Sequence, residues 1–253
     1  MTPHALTELL EGAGFVAADE EARELLARAG EDRALLDAMV ARRLMGEPLA
    51  WITGTTWFRG LELRVDPGVY VPRWQSEQLA GRAAERLPAG GVAIDLCTGC
   101  GAIARVLVDA HPGARVVGCD VDDRAVACAR ANGVEAFGGD LFDPLPGELG
   151  GAVDVVVGVV PYVPTAELRL LHRDTLAFES TLSYDGGVDG LAFLRRAVTE
   201  SPRFLRRGGA LLLELGGDEA DALRGDLERV GFADVEVIRD ADGDARGVEA
   251  ALS

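Results

Sequence analysis

The stretch Val92-Ala93-Ile94-Asp95-Leu96-Cys97-Thr98-Gly99-Cys100-Gly101 decides how this chain folds. Five mostly apolar residues read as a short buried strand. The glycines behind them turn the chain into a helical pattern that runs through Ala110. Glycine at such a turn lets the backbone approach a ligand closely, and the free N–H groups of the helix start face the same space. In an open α/β sheet, ligands bind beyond the carboxyl ends of the strands, which is where this turn falls. The spacing departs from the dinucleotide pattern G-x-G-x-x-G because Ala104 stands at the third glycine, and that argues against a nicotinamide cofactor.

Outward from this turn the chain keeps a strand-then-helix rhythm. Ala114 to Cys119 is predicted as a strand, Asp122 to Ala131 as a helix, Val134 to Phe137 as a brief strand and Ala152 to Val157 as a longer one. After an irregular stretch come a helix around Leu191 to Glu200, a strand Ala210 to Leu215 and a helix Glu219 to Val230. Val235 to Ile238 and Val248 to Leu252 complete the sheet as an antiparallel C-terminal hairpin. Such alternation predicts an α/β fold with a mainly parallel sheet covered on both faces.

Upstream, Val71-Pro72-Arg73 leads into a helix ending near Leu87-Pro88, and Trp57 to Val65 alternates in its second half as a hairpin does. Residues 1 to 45 repeat apolar positions at helical spacing around Leu6, Leu10, Leu25, Leu36 and Val40, until Gly46-Glu47-Pro48 breaks the pattern. The expected organisation is an N-terminal helical domain at 1–45, a linker with a β-hairpin at 46–70, and the α/β domain at 71–253. Trp51, Trp57 and Phe58 are assigned to core and hairpin packing.

The formal charge is −17, and all 25 basic residues are arginine. This acidic balance argues against sequence-independent binding to nucleic acid, which needs clustered cations against phosphate. Cys97 and Cys100 have the C-x-x-C spacing of a redox pair or half a zinc site, but no second pair follows and His4, His111 and His172 are scattered, so no metal is expected. Cys119 and Cys128 read as small core residues. The start of the chain lacks a basic stretch followed by an apolar one, and no apolar run approaches a membrane span. A reduced, cytoplasmic setting without membrane contact is therefore expected.

Two further acids sharpen the ligand reading. Asp120 closes the second strand and can accept hydrogen bonds from both ribose hydroxyls. Asp140, in Gly138-Gly139-Asp140-Leu141-Phe142, lies just past the third strand and can accept from an exocyclic adenine amine. An acid at each of three successive strand ends is more specific than any one alone.

Several segments together resemble one family. Val71-Pro72-Arg73-Trp74-Gln75-Ser76-Glu77 is similar to its Ile-Pro-Arg-Pro-x-Thr-Glu, and Asp95 to Gly101 to its Asp-Leu-Gly-Thr-Gly-x-Gly. Phe178-Glu179, Asp185-Gly186-Gly187-Val188-Asp189-Gly190-Leu191 and Leu213-Glu214-Leu215-Gly216 match later motifs, and Gly46 to Gly54 resembles the segment before the hairpin. The chain is identified as similar to the protein-(glutamine-N5) methyltransferases of the HemK type, class I enzymes that use S-adenosylmethionine and release S-adenosylhomocysteine. The resemblance implies a Rossmann-like sheet. It also implies a cofactor site at Asp95, Cys97, Thr98, Gly99, Gly101, Asp120, Val121, Asp140, Leu141 and Val159. Cys97 replaces the usual first glycine.

The departure lies at the acceptor. The family carries Asn-Pro-Pro-Tyr where this chain has Val159-Val160-Pro161-Tyr162. In the family the asparagine side chain and the following carbonyl hold the substrate amide N–H groups, which aims a poor nucleophile at the methyl group. Val159 has no polar side-chain atom, and losing that contact costs about 2–4 kcal/mol in the transition state. Asn132, the chain's single asparagine, reads as a helix C-cap. Trp74 and Ser180 replace prolines of the family, and Tyr184 replaces a small residue.

An apolar slot formed by Val160, Pro161, Tyr162, Arg73 and Trp74 would suit a flat small molecule. Glu179, Tyr162, His172 and Asp174 are the candidate proton acceptors, with Glu179 leading. The leading expectation is methyl transfer, or a related displacement such as cyclopropane formation beside a radical partner enzyme, on a small aromatic natural product. Glutamine methylation of a release factor or similar protein is the second expectation, and cofactor binding without turnover the third.

Overall fold

The computed structural model describes residues 2–171, 177–217 and 219–253. Three helices open the chain: α1 (Pro3–Gly12), α2 (Ala18–Ala29) and α3 (Arg33–Leu44). Thr2 and Asp32 cap α1 and α3 by accepting from Ala5 N and Leu35 N, satisfying donors that a helix start leaves bare. Leu6, Leu10, Leu25, Leu36 and Val40 form a small core of their own, closed by Ile52.

The segment assigned as linker contains a short helix, α4 (Leu49–Thr53), ahead of the hairpin β1 (Thr55–Phe58) and β2 (Leu61–Arg64). Arg59 and Gly60 both have positive φ, 48° and 79°, which is what a two-residue turn needs to match the twist of its strands. Phe58 and Trp51 are buried as expected. Trp57 is not: it lies on the outer side of the hairpin and is 66% exposed. Asn132 fastens the hairpin to the sheet, accepting from Arg64 N and donating to the carbonyls of Arg64 and Cys100. Its backbone N–H closes its helix, and its side-chain amide is engaged in the three bonds to Arg64 and Cys100.

After α5 (Ser76–Arg86) the chain alternates β3 (Val92–Leu96), α6 (Ala102–Ala110), β4 (Arg115–Asp120), α7 (Asp123–Ala131), β5 (Glu135–Gly138) and β6 (Val153–Gly158). Then follow α8 (Ala192–Glu200), β7 (Leu205–Glu214), α9 (Glu219–Arg229), β8 (Phe232–Arg239) and β9 (Ala245–Leu252). The seven strands lie in the order β5-β4-β3-β6-β7-β9-β8, parallel except that β9 runs antiparallel to both its neighbours. Strand β7 begins earlier than its apolar run predicts, because Leu205 already pairs with Val153.

All six residues of β6 are buried, as two covered faces require. Val155 and Val157 join the layer under α5, α6 and α7, and Val156 the layer under α8 and α9. The order reverses between β3 and β6: the chain winds one way through β4 and β5, then the other way through β7. That reversal leaves a crevice at the carboxyl ends of β3 and β6.

Candidate functional site

Leu96 and Gly158 are register partners at the ends of β3 and β6. The turn Cys97–Gly101 and the loop Val159–Tyr162 therefore leave the sheet side by side, although 62 residues separate Cys97 from Val159. A cavity of about 250 Å³ opens between them, walled by Cys97, Gly99, Asp120, Val121, Leu141 and Val159 among others.

Three groups shape the turn. Asp95 points inward, where its carboxylate accepts from the Thr98 hydroxyl at 2.6 Å and from Ala104 N at 3.1 Å. It braces the turn from beneath and does not line this cavity. Thr98 is likewise interior, packed so close to Gly118 that a side chain there would strike it. Asp120 accepts from Gly99 N at 2.9 Å and Asp122 N at 3.0 Å, and its carboxylate borders the cavity. Burial raises both acids, Asp95 to about 7, while the hydrogen bonds they accept pull the other way. Cys97 sits at φ 53°, the left-handed conformation that glycine adopts freely. Asp140 borders the cavity too, but its carboxylate is paired with Arg196 at 2.9 Å.

A second cavity of about 280 Å³ lies on the other side of the same loop and shares Tyr70, Val159 and Ser183 with the first. Tyr162 and Arg73 border it, as does the backbone of Val160, whose side chain is buried in the core. Pro161 borders the first cavity. Trp74 borders neither of the two and is 71% exposed, so it is no wall of an aromatic slot.

Glu179 is placed differently from its expected role. Its buried carboxylate accepts from Val71 N, from Arg73 Nη2 at 2.5 Å and from the Tyr184 hydroxyl. With three donors on its carboxylate it pairs with Arg73 and borders neither of these two cavities. Tyr162 donates to Glu214 Oε1 at 3.3 Å, and burial raises its hydroxyl far above neutrality, so it stays a donor. His172 and Asp174 lie outside the described residues.

The glycines of the Asp185–Gly190 segment hold the loop in place. Gly186 N donates to the Val163 carbonyl, and a side chain at Gly190 would come within 2.4 Å of the Tyr162 carbonyl. Sequence reasoning missed Tyr70, Gln75 and Glu214 at the second cavity. Glu214 had a usable signal: like Asp120, it is an acid ending an apolar strand of the parallel set. Tyr70 and Gln75 carried none.

The comparisons with known proteins fit this geometry. A family model described as a methyltransferase small domain matches residues 75–138. A release factor glutamine methyltransferase of Geobacter sulfurreducens is 37% identical over 84% of this chain and 76% of its own length. Another, from Neisseria gonorrhoeae, is 36% identical over 87% and 84%. The chain belongs to the release factor glutamine methyltransferase family. A methyltransferase from Pyrococcus furiosus, 18% identical, shares the fold with a TM-score of 0.56 over 76% of this chain and 89% of its own.

As a member of this family the chain is an S-adenosylmethionine-dependent methyltransferase. The donor set of the first cavity fits that cofactor. It offers a carboxylate at a strand end, an exposed apolar Val121 beside it, and a turn whose Gly99, at φ 56°, borders the cavity; Gly101 opens α6 but packs toward Ala129 and Val134 instead of lining it. Among the described residues no helix is long and apolar enough to cross a membrane.

Proposed function

We propose that this methyltransferase modifies the side-chain amide nitrogen of a glutamine in a release factor. The observation that carries the reading is the pair of cavities meeting at Val159, one suited to a nucleoside and the other lined by polar groups. Family membership at 36–37% identity over most of the chain supports it.

Bound S-adenosylmethionine supplies an electrophilic methyl group on a sulfonium whose departure leaves a neutral thioether. Asp120 is assigned to the ribose hydroxyls, Val121 and Leu141 to the adenine faces, and Cys97 with Gly99 to the amino-acid end. Asp140 reaches the adenine amine only if it releases Arg196. On the acceptor side, Tyr70 and the Val159–Tyr162 loop align the amide nitrogen, which is catalysis by positioning. The Asp185–Gly190 segment fixes that loop from behind.

One observation favours a second reading, methyl transfer to a small apolar molecule or a related displacement with a radical partner: Val159 lacks the polar side chain of the family. Of the two added aromatics, Tyr184 borders the second cavity, while the exposed Trp74 borders neither and gives that reading no support. The deciding experiment incubates the chain with S-adenosylmethionine and a release factor, or a Gly-Gly-Gln peptide, and maps the product by mass spectrometry. One added methyl on glutamine is expected. Tight cofactor binding without glutamine methylation would overturn the proposal, leaving the small-molecule or the non-catalytic alternative.

A further inference from the structure

The second cavity contains an imbalance of hydrogen-bonding groups. Glu214, 6% exposed at the end of β7, accepts from Tyr162 with Oε1 and has the Ser76 hydroxyl beside its carboxylate, while its buried Oε2 meets no donor in good hydrogen-bond geometry among the described residues. Gln75, just before α5, has a buried Oε1 that is equally unpartnered. Both side chains line the same cavity, and they come from opposite ends of the sequence of the α/β domain. Buried polar atoms are nearly always satisfied, so two orphaned acceptors on residues that line one space point to a ligand that brings donors and reaches just behind the cavity wall.

The same walls carry Arg73 and Arg246. Two guanidinium groups disfavour a cationic amine there, and they can serve an oxygen acceptor on the ligand. A group with two N–H donors and one oxygen acceptor, without charge, is a primary carboxamide.

We propose that Glu214 Oε2 and Gln75 Oε1 hold the two N–H groups of the acceptor's primary carboxamide, replacing the side chain that position 159 lacks. The amide is held from the end of β7, by a residue of a motif the family shares, and from the start of α5. This rests on the glutamine reading above and adds which residues recognise the amide.

The test uses the full chain loaded with S-adenosylhomocysteine and a Gly-Gly-Gln peptide, measuring peptide affinity by calorimetry beside methylation kinetics with S-adenosylmethionine. Glu214→Gln keeps the acceptor for Tyr162 but turns an N–H group toward the amide. It should weaken peptide binding by about tenfold or more and lower kcat/KM at least as far, with S-adenosylhomocysteine affinity unchanged. Gln75→Leu should do the same, and Gln75→Glu, which restores an acceptor oxygen, should recover binding relative to Gln75→Leu. A peptide with glutamate in place of glutamine should bind wild type and Gln75→Leu alike.

If wild type methylates glutamine and these variants match it, the clamp is refuted while the glutamine reading stands. If wild type neither binds nor methylates the peptide or a release factor, both fall together. Should Glu214→Gln fail to fold, the two Gln75 variants decide, since that side chain makes no hydrogen bond among the described residues.

Discussion

Glu179→Gln separates an anchoring carboxylate from a catalytic base. The Glu179 side chain is 2% exposed and that of its partner Arg73 is 38% exposed. Breaking a fully buried pair costs about 3–5 kcal/mol, chiefly because the remaining charge is stranded. Arg73 keeps substantial contact with water, so screening brings the expected loss toward about 2 kcal/mol. In a chain of this size each kcal/mol moves the melting temperature by about 2–4 °C, so the variant should melt about 4–8 °C lower.

Because Glu179 borders neither of the two cavities at the loop, S-adenosylhomocysteine affinity should be unchanged by calorimetry. Replacing both partners, Arg73→Leu with Glu179→Leu, should recover only part of the lost stability: no charge is stranded, but Val71 N and the Tyr184 hydroxyl lose their acceptor. A melting shift below about 1 °C together with a collapse of kcat would refute this reasoning. That result would make Glu179 the base that the sequence pointed to.

Three further outcomes follow from the geometry. Gly190→Ala sets a side chain against the Tyr162 carbonyl at a φ of 75°, so it should cost about 1–3 kcal/mol in urea unfolding and depress glutamine methylation while leaving cofactor binding intact. Asp120→Ala removes both the ribose acceptor and the brace on Gly99 N, and calorimetry should show S-adenosylmethionine affinity reduced by about tenfold or more. Burial raises Asp95 to about 7, so the folded chain keeps a proton that the unfolded chain releases near pH 4. Its contribution to stability therefore falls as pH rises from about 4 to 7. Asp95→Asn should gain on wild type in urea midpoint between pH 5 and pH 8, and an equal difference at both would refute the assignment.

The elements were legible where the signal is local. Strands of the parallel set announce themselves as short apolar runs because both faces are buried, and Asp120 could be placed at a strand end by counting. Trp57 was misassigned because a hairpin strand has two faces, and only the packing says which one the core covers. Glu179 drew attention through its motif, yet its role is set by Arg73, 106 residues earlier, and by Tyr184. Gln75 belongs to no motif whose chemistry could flag it; its orphaned oxygen exists only once a cavity forms around it.

The sequence by itself determined the α/β alternation, the glycine turn, the acids at the strand ends and the motifs of the family. It also showed that Val159 carries no amide holder. All of these are read within a few residues of one another. The tertiary structure alone decided that Val159 divides two cavities, that Glu179 pairs with Arg73, and that Glu214 and Gln75 line the second cavity together. The physical reason is the reversal of strand order between β3 and β6. It brings to one crevice loops that the chain separates by dozens of residues, and no local pattern encodes that meeting.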